Sequence, residues 1–187
     1  VAQLVEYKKK FVIIGNKNAI TYKEIFTFIK ENKIWIGYTP MSKDLLFDTT
    51  EECQKEVLSG KKLGSGYKII DGVVKLRSQS IWFTNLDIEK RHEILDTLYS
   101  YGKTPENYPK YDNYDAINVD KTKEIPTDYD GVMGVPITFL DKYNPEQFEI
   151  IGQMVTTKID EFNFGYPYIN GKKIYARILI KKRKNGN

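Results

Sequence analysis

Cysteine and histidine are almost absent: Cys53 and His92 each stand alone in 187 residues. A single cysteine excludes an intrachain disulfide and a cysteine-built zinc site. Glu51 and Glu52 beside it oppose thiolate formation, so Cys53 reads as a packing residue. A single histidine with no ligand spacing around it leaves a histidine metal site or a Ser-His-Asp triad unsupported. Long apolar runs are lacking too. None approaches the roughly 20 residues that span a bilayer, and no signal-peptide pattern is present. The expectation is a cytoplasmic protein with no membrane partner. Internal repeats, Gly/Ser-rich linkers and Walker motifs are also missing. Gly64-Ser65-Gly66 follows a polar, helix-like segment and has Ile69 where a third glycine would stand, so it fails as a dinucleotide fingerprint and reads as a turn.

What is present suits one globular domain, or one with an appended lobe, since hydrophobic residues make up 41% of the chain. The net charge of +4 is unevenly spread: residues 101–150 hold ten acids against five lysines, which leaves the remainder clearly basic. Basic surface favours polyanions through counterion release. An acidic segment pressed against phosphates is repelled unless its carboxylates read bases or are tied up internally. The densest basic cluster, Lys181-Lys182-Arg183-Lys184, reads equally as a solvated tail or as a polyanion contact.

The periodicities predict a mixed architecture. Val1 to Tyr7 reads as the end of a helix, and Phe11-Val12-Ile13-Ile14, closed by Gly15-Asn16, as a buried parallel strand. Thr21 stands at an N-cap with Glu24 at the capping-box position, and Ile25, Phe28 and Ile29 share one face until Asn32 ends the helix. Ile34-Trp35-Ile36 then completes a strand, helix, strand unit. Tyr67 to Ile70, Asp71-Gly72 and Val73 to Leu76 predict a hairpin, followed by a strand from Ser80 to Thr84 and a helix from Ile88 to Tyr99. Asn170-Gly171 predicts a second hairpin, between Tyr168 and Ile174. Val135 to Leu140 reads as core. A domain boundary is expected near residues 80–88.

Three stretches carry residue types suited to nucleic acid. Gly15-Asn16-Lys17-Asn18 follows a strand, at the sheet edge where ligands of open α/β folds bind. Asn16 and Asn18 offer amides there, Lys17 a phosphate contact, and Tyr22 a face for stacking an extruded base. The same loop reads equally as a turn and helix cap. Asn85, Arg91 and His92 form a second group, because Asn and Arg suit adenine and guanine edges; a solvent-facing helix is the plainer account. In the third, Lys110, Tyr111, Asn113 and Tyr114 interleave aromatics with polar groups, which permits stacking, phosphate contact and base-edge contact within a few residues. The plainer alternative is a tyrosine-anchored loop whose aspartates cap backbone amides. Asp128-Tyr129-Asp130-Gly131 lacks the other ligands of a calcium loop and reads as a tight turn. Glu6-Tyr7-Lys8 and Glu31-Asn32-Lys33 match the acid-x-lysine element of metal-dependent nucleases, with no upstream Asp partner for either.

The runs VIIGNKNAITYKEIF, SIWFTNLD, KYDNYDAI, DYDGVMGVPITFLDKYNPEQFEIIG and YINGKKIYARILI resemble the EcoRI-type adenine-specific DNA methyltransferases, from Val1 to about Lys182. The resemblance implies an α/β fold: the C-terminal part of a doubly wound methyltransferase sheet, with added β hairpins and a loop-rich recognition region. Residues 1–84 would complete the catalytic domain, and 85–187 would form the target-recognition region with its terminal hairpin. In the intact enzyme it implies methyl transfer from S-adenosylmethionine to the exocyclic amino group of adenine in duplex DNA. A cognate restriction endonuclease acting on the same site is the further partner to look for. The family's glycine-rich cofactor motif is not in this sequence, and no two of its seven prolines are adjacent, so the Pro-Pro catalytic motif is missing as well. The expectation is therefore a piece of a larger protein, with the catalytic tetrapeptide just upstream of Val1. No cofactor is expected for this chain alone, nor activity. The alternatives are a non-catalytic DNA-binding or interaction module and a metal-dependent nuclease.

Overall fold

The computed structural model describes residues 1–62 and 64–183. After a short helix α1 (Ala2–Glu6), strand β1 (Val12–Asn16) leads through a 3-10 turn at Lys17–Thr21 into helix α2 (Lys23–Lys30) and strand β2 (Trp35–Ile36). The helix starts one residue later than its capping pattern suggests, with Tyr22 at the N-cap position, and Asn32 ends it at φ +56°. An arm follows, made of β3 (Leu45–Asp48), helix α3 (Glu51–Leu58), β4 (Tyr67–Ile70) and β5 (Val73–Ser78). Asp71 and Gly72 join β4 to β5 with φ +48° and +77°, the two positive angles that a two-residue hairpin turn demands. Cys53 is half-buried on α3, whose N-terminus is capped by the Thr50 hydroxyl.

Strand β6 (Ser80–Thr84) then returns between β1 and β2, antiparallel to both. The first and last strands of the strand, helix, strand unit therefore run parallel, as expected, but they do not touch. This corrects the reading of Phe11–Ile14 as a buried parallel strand. At the edge of its three-stranded sheet, β1 buries one face only, and Val12 and Ile14 are 52% and 59% exposed. Gly15 is needed on the covered side, because a Cβ there would lie 2.7 Å from the Phe83 ring.

The remainder is rich in loops, as expected, and these surround one further sheet and a hairpin. Strands β7 (Ile117–Asn118), β8 (Met133–Pro136), β9 (Phe148–Met154) and β12 (Arg177–Lys182) form a sheet in the order β7-β8-β12-β9. Its centre, Ile178-Leu179-Ile180, is buried on both faces. Hairpin β10 (Tyr168–Ile169) and β11 (Lys172–Lys173) stands apart as a two-stranded ribbon. The helix expected at Ile88–Tyr99 is replaced by a 3-10 turn at Glu89–His92 and an extended segment. There the Gln147 carboxamide takes both backbone groups of Leu95, and Asn144 donates to Glu93 O, so tertiary partners replace the helical ladder.

Phe11, Phe26, Ile36 and Phe83 share one hydrophobic cluster with Ile117, Phe139, Phe148 and Ile180, so the core is continuous across the residue 80–88 region. Burying each such side chain contributes about 1.5–3 kcal/mol. Polar ties cross the same seam: both Asp141 carboxylate oxygens accept from Met41 N at 3.0 and 2.9 Å, and Lys90 Nζ donates to Gly37 O at 3.0 Å. Burial pushes the Asp141 pKa up and the Lys90 pKa down. No helix among the described residues is long and apolar enough to cross a membrane.

Candidate nucleic-acid interface

The 3-10 turn after β1 points its residues in two directions. Asn18 and Tyr22 are exposed, Tyr22 at 56%, and Asn16 uses its Oδ1 to accept from Asn18 N at 2.8 Å. Lys17 turns inward instead. Its ammonium donates to Met41 O at 2.9 Å and Lys43 O at 2.8 Å, and pairs with Asp44 at 3.4 Å. Asp44 also takes Arg77 at 2.7 Å, and these two cations hold its carboxyl below the usual range, Arg77 foremost. The phosphate contact expected of Lys17 gives way to a role in fixing the 41–44 loop, where three oxygens replace its hydration.

Tyr22 borders an open cleft of about 340 Å³ reaching Gln153, Lys158 and Asn163. Gln153 Nε2 donates to Thr21 O at 3.0 Å and so ties β9 to the turn. Sequence reasoning passed over Gln153 and Lys158, because nothing local places β9 and the 155–163 loop beside Tyr22.

The Asn85, Arg91 and His92 group is committed to internal contacts. Asn85 accepts from Phe11 N and donates to Lys9 O, so both ends of its amide bracket the entry to β1. The Arg91 guanidinium lies 3.7 Å over the Trp35 ring and donates to Asn32 Oδ1. His92 stays partly exposed and pairs with Asp87 at 2.7 Å, which raises its pKa, with Glu146 at 3.7 Å beyond. The base-edge contacts expected of Asn85 and Arg91 are replaced by these bonds.

The Lys110–Asp115 stretch is a clasp. Tyr111 is buried; its hydroxyl donates to Asn118 Oδ1 at 3.0 Å, and burial pushes its pKa well up. Arg177, buried beside it, donates to the same Asn118 oxygen and reaches Asp120. Asn113 donates to Tyr166 O and accepts from Tyr168 N, Tyr114 packs 4.8 Å from Phe164, and Lys110 pairs with Asp115. The Asp112 carboxylate accepts from Asn170 N at 3.0 Å and Gly171 N at 2.7 Å. Tyr111 and Asn113 thus hold the β10–β11 hairpin, Tyr111 from a buried position that leaves its ring no room for stacking and Asn113 from the surface. Asp128 behaves similarly, capping the Tyr101 and Gly102 amides and the Ser100 hydroxyl, which lowers its pKa to about 2.

Of the residues discussed, Asn18 and Tyr22 at the turn after β1 and Asn170, Lys172 and Lys173 on the hairpin are exposed. The description adenine-specific methyltransferase EcoRI matches residues 1–183. The chain belongs to the EcoRI adenine-specific methyltransferase family. Among its relatives, the type II methyltransferase M.EcoRI of Escherichia coli is 48% identical over 182 residues, which cover 97% of this chain and 53% of that protein. M.MgeORF184P of Mycoplasma genitalium is 38% identical, covering 97% and 59%, and M.MpnI of Mycoplasma pneumoniae 35%, covering 99% and 60%. The chain therefore spans a little over half the length of the EcoRI-family relatives it matches. No solved structure matches it.

Among the described residues no group of three His, Cys, Asp or Glu could hold a metal ion. Glu31 and Lys33 of the nuclease-like element pair with each other at 2.7 Å. Burial sorts the cations: of those that the sequence suggests as DNA contacts, Lys17 is buried, Arg91 half-buried and Lys110 exposed, while among the others Arg177 is buried and Lys158, Lys172 and Lys173 face solvent.

Proposed function

We propose that this chain is the part of an adenine-specific DNA methyltransferase that completes the catalytic sheet and contacts DNA. The family match along residues 1–183 carries this reading. In the whole protein, S-adenosylmethionine supplies the methyl group, and the acceptor is the exocyclic amino nitrogen of an adenine in a short duplex site. That nitrogen is engaged in pairing, so the base must leave the stack before reaction. Tyr22 offers the exposed ring for an extruded base, with Asn16 and Asn18 as polar neighbours at the same strand end.

The residues here do not fit the cofactor. The glycines that lie closest against a neighbour, Gly15, Gly131, Gly134 and Gly152, are filled by Phe83, Tyr129, Tyr111 and Phe164 of this chain and leave no cradle for a ligand. The cofactor and Pro-Pro motifs therefore come from the part of the relatives' length that this chain does not span, and the chain alone does not transfer a methyl group. Recognition is assigned to residues 85–187 and completion of the catalytic domain to 1–84. In this reading the enzyme acts in the cytoplasm, where a restriction endonuclease of the same specificity would be its counterpart.

The test is methyl transfer to duplex DNA by this chain and by the chain extended upstream through both motifs. Transfer by the extended protein alone is the expected result. Transfer by the isolated chain would overturn the cofactor argument, and no adenine methylation by either would favour a binding module.

A further inference from the structure

Hairpin β10–β11 combines four properties. It is cationic: Lys172 and Lys173 are exposed on one strand, and no acid occurs between Phe162 and Arg183. It is stiff: Asn170 and Gly171 take φ +51° and +74°, Asp112 holds both of their amides, and Asn113 holds Tyr168 N. It is anchored, since Ile169 and Ile174 pack against the cluster of Tyr111, Ala116, Met154 and Leu179. And it is aimed outward, with Asn170 exposed at its tip and Tyr175 86% exposed at its base.

The neighbouring carboxylates are each held by internal partners, which fixes their positions beside the hairpin. Asp112 is engaged by two N–H groups, Asp115 by Lys110, and Asp120 by Arg177 and Asn118. The Lys173 ammonium lies 4.1 Å over the Tyr166 ring, which fixes its direction while leaving it accessible. A paired ribbon about 5 Å between strands, widened by its side chains, fits a major groove about 12 Å wide.

We propose that hairpin β10–β11 is the groove-entering element of this chain on duplex DNA. Lys172 and Lys173 contact phosphates, and Asn170 meets base edges from the tip. The Lys110–Asp115 clasp acts as its brace, so the residues that look like DNA contacts are positioning residues for it. The assignment rests on the DNA reading above.

Fluorescence anisotropy with a short random-sequence duplex, repeated across salt concentrations, tests it on the full chain. Lys172→Ala/Lys173→Ala lies wholly on exposed side chains and should keep the wild-type circular dichroism. It should weaken binding, and the slope of log affinity against log salt should fall by about one per lysine removed. Asp112→Ala is the sharper variant. It deletes a negative charge, so electrostatics alone predicts tighter binding, whereas loss of the brace predicts weaker binding. A lysine variant with unchanged affinity and slope, or an Asp112→Ala chain that binds more tightly, overturns the hairpin assignment while leaving the DNA reading standing. A wild-type chain that shows no salt-dependent binding overturns both.

Discussion

The Lys110–Asp115 loop and the Tyr168–Lys173 hairpin lie against each other and differ in how their side chains are used. The loop has the richer set of stacking and hydrogen-bonding groups, yet Tyr111 is 6% exposed and Asn113 is bonded at both ends of its amide. The hairpin has plainer composition, but its lysines and its Asn170 face solvent. Composition states which contacts a segment could make; the internal bonds state which remain free. The same contrast separates Lys17, enclosed by three oxygens, from the exposed Tyr22 only five residues on.

Breaking the loop should therefore damage the fold, whereas altering exposed residues should not. Tyr111→Ala opens a void beneath Gly134, whose Cα face the phenol ring covers, and leaves Asn118 short of a donor. Urea unfolding should show a loss of about 3–5 kcal/mol. Tyr175→Ala, at 86% exposure, should stay within about 0.5 kcal/mol of wild type. Equal losses for the two would erase the distinction.

Asn113→Ala should cost less, about 1 kcal/mol, because its two bonds lie at the surface. The loss should be local. Hydrogen exchange at Tyr168 N should quicken while the amides of β12 keep their protection; uniform quickening would make Asn113 part of the global core instead of a brace.

Two pH effects are smaller. Asp128 titrates at about 2 in the folded chain against an ordinary 3.8, so its contribution is complete above pH 3.8 and is lost as pH falls through about 2. Asp128→Asn should flatten the acid limb of the stability curve in that window, and an unaltered limb would contradict the capping role. For His92 the sign reverses. The bond to Asp87 raises its pKa above 6.5, so the stabilisation is present below pH 6.5 and fades as pH rises through the folded value. Asp87→Asn should lower the His92 titration midpoint followed by NMR.

How much of this was legible in the sequence follows from how local each cause is. Both hairpins were readable, because Asp71-Gly72 and Asn170-Gly171 supply the positive φ angles within two residues. The α2 unit was readable from its apolar spacing. The insertion of β6 between β1 and β2 was not, since Val12 pairs with Thr84 and no local signal encodes so distant a partner. The helix expected at Ile88–Tyr99 failed for a similar reason: its competitors, Asn144 and Gln147, lie some fifty residues away. Among site residues, type alone could not separate Lys17 from Lys172, because burial depends on a loop around Asp44 that has no pattern of its own. One cue was available. Asp112 precedes an Asn-Tyr-Asp run of the kind that caps backbone amides, and it does cap them, though in a hairpin 58 residues on.

Lysine-reactivity footprinting, with and without duplex DNA, tests the central distinction most directly. Lys172 and Lys173 should react readily in the free chain and become protected when DNA is added, while Lys17 stays unreactive in both states. Protection of Lys17 by DNA from a reactive free state, with Lys172 and Lys173 unchanged, would contradict the account.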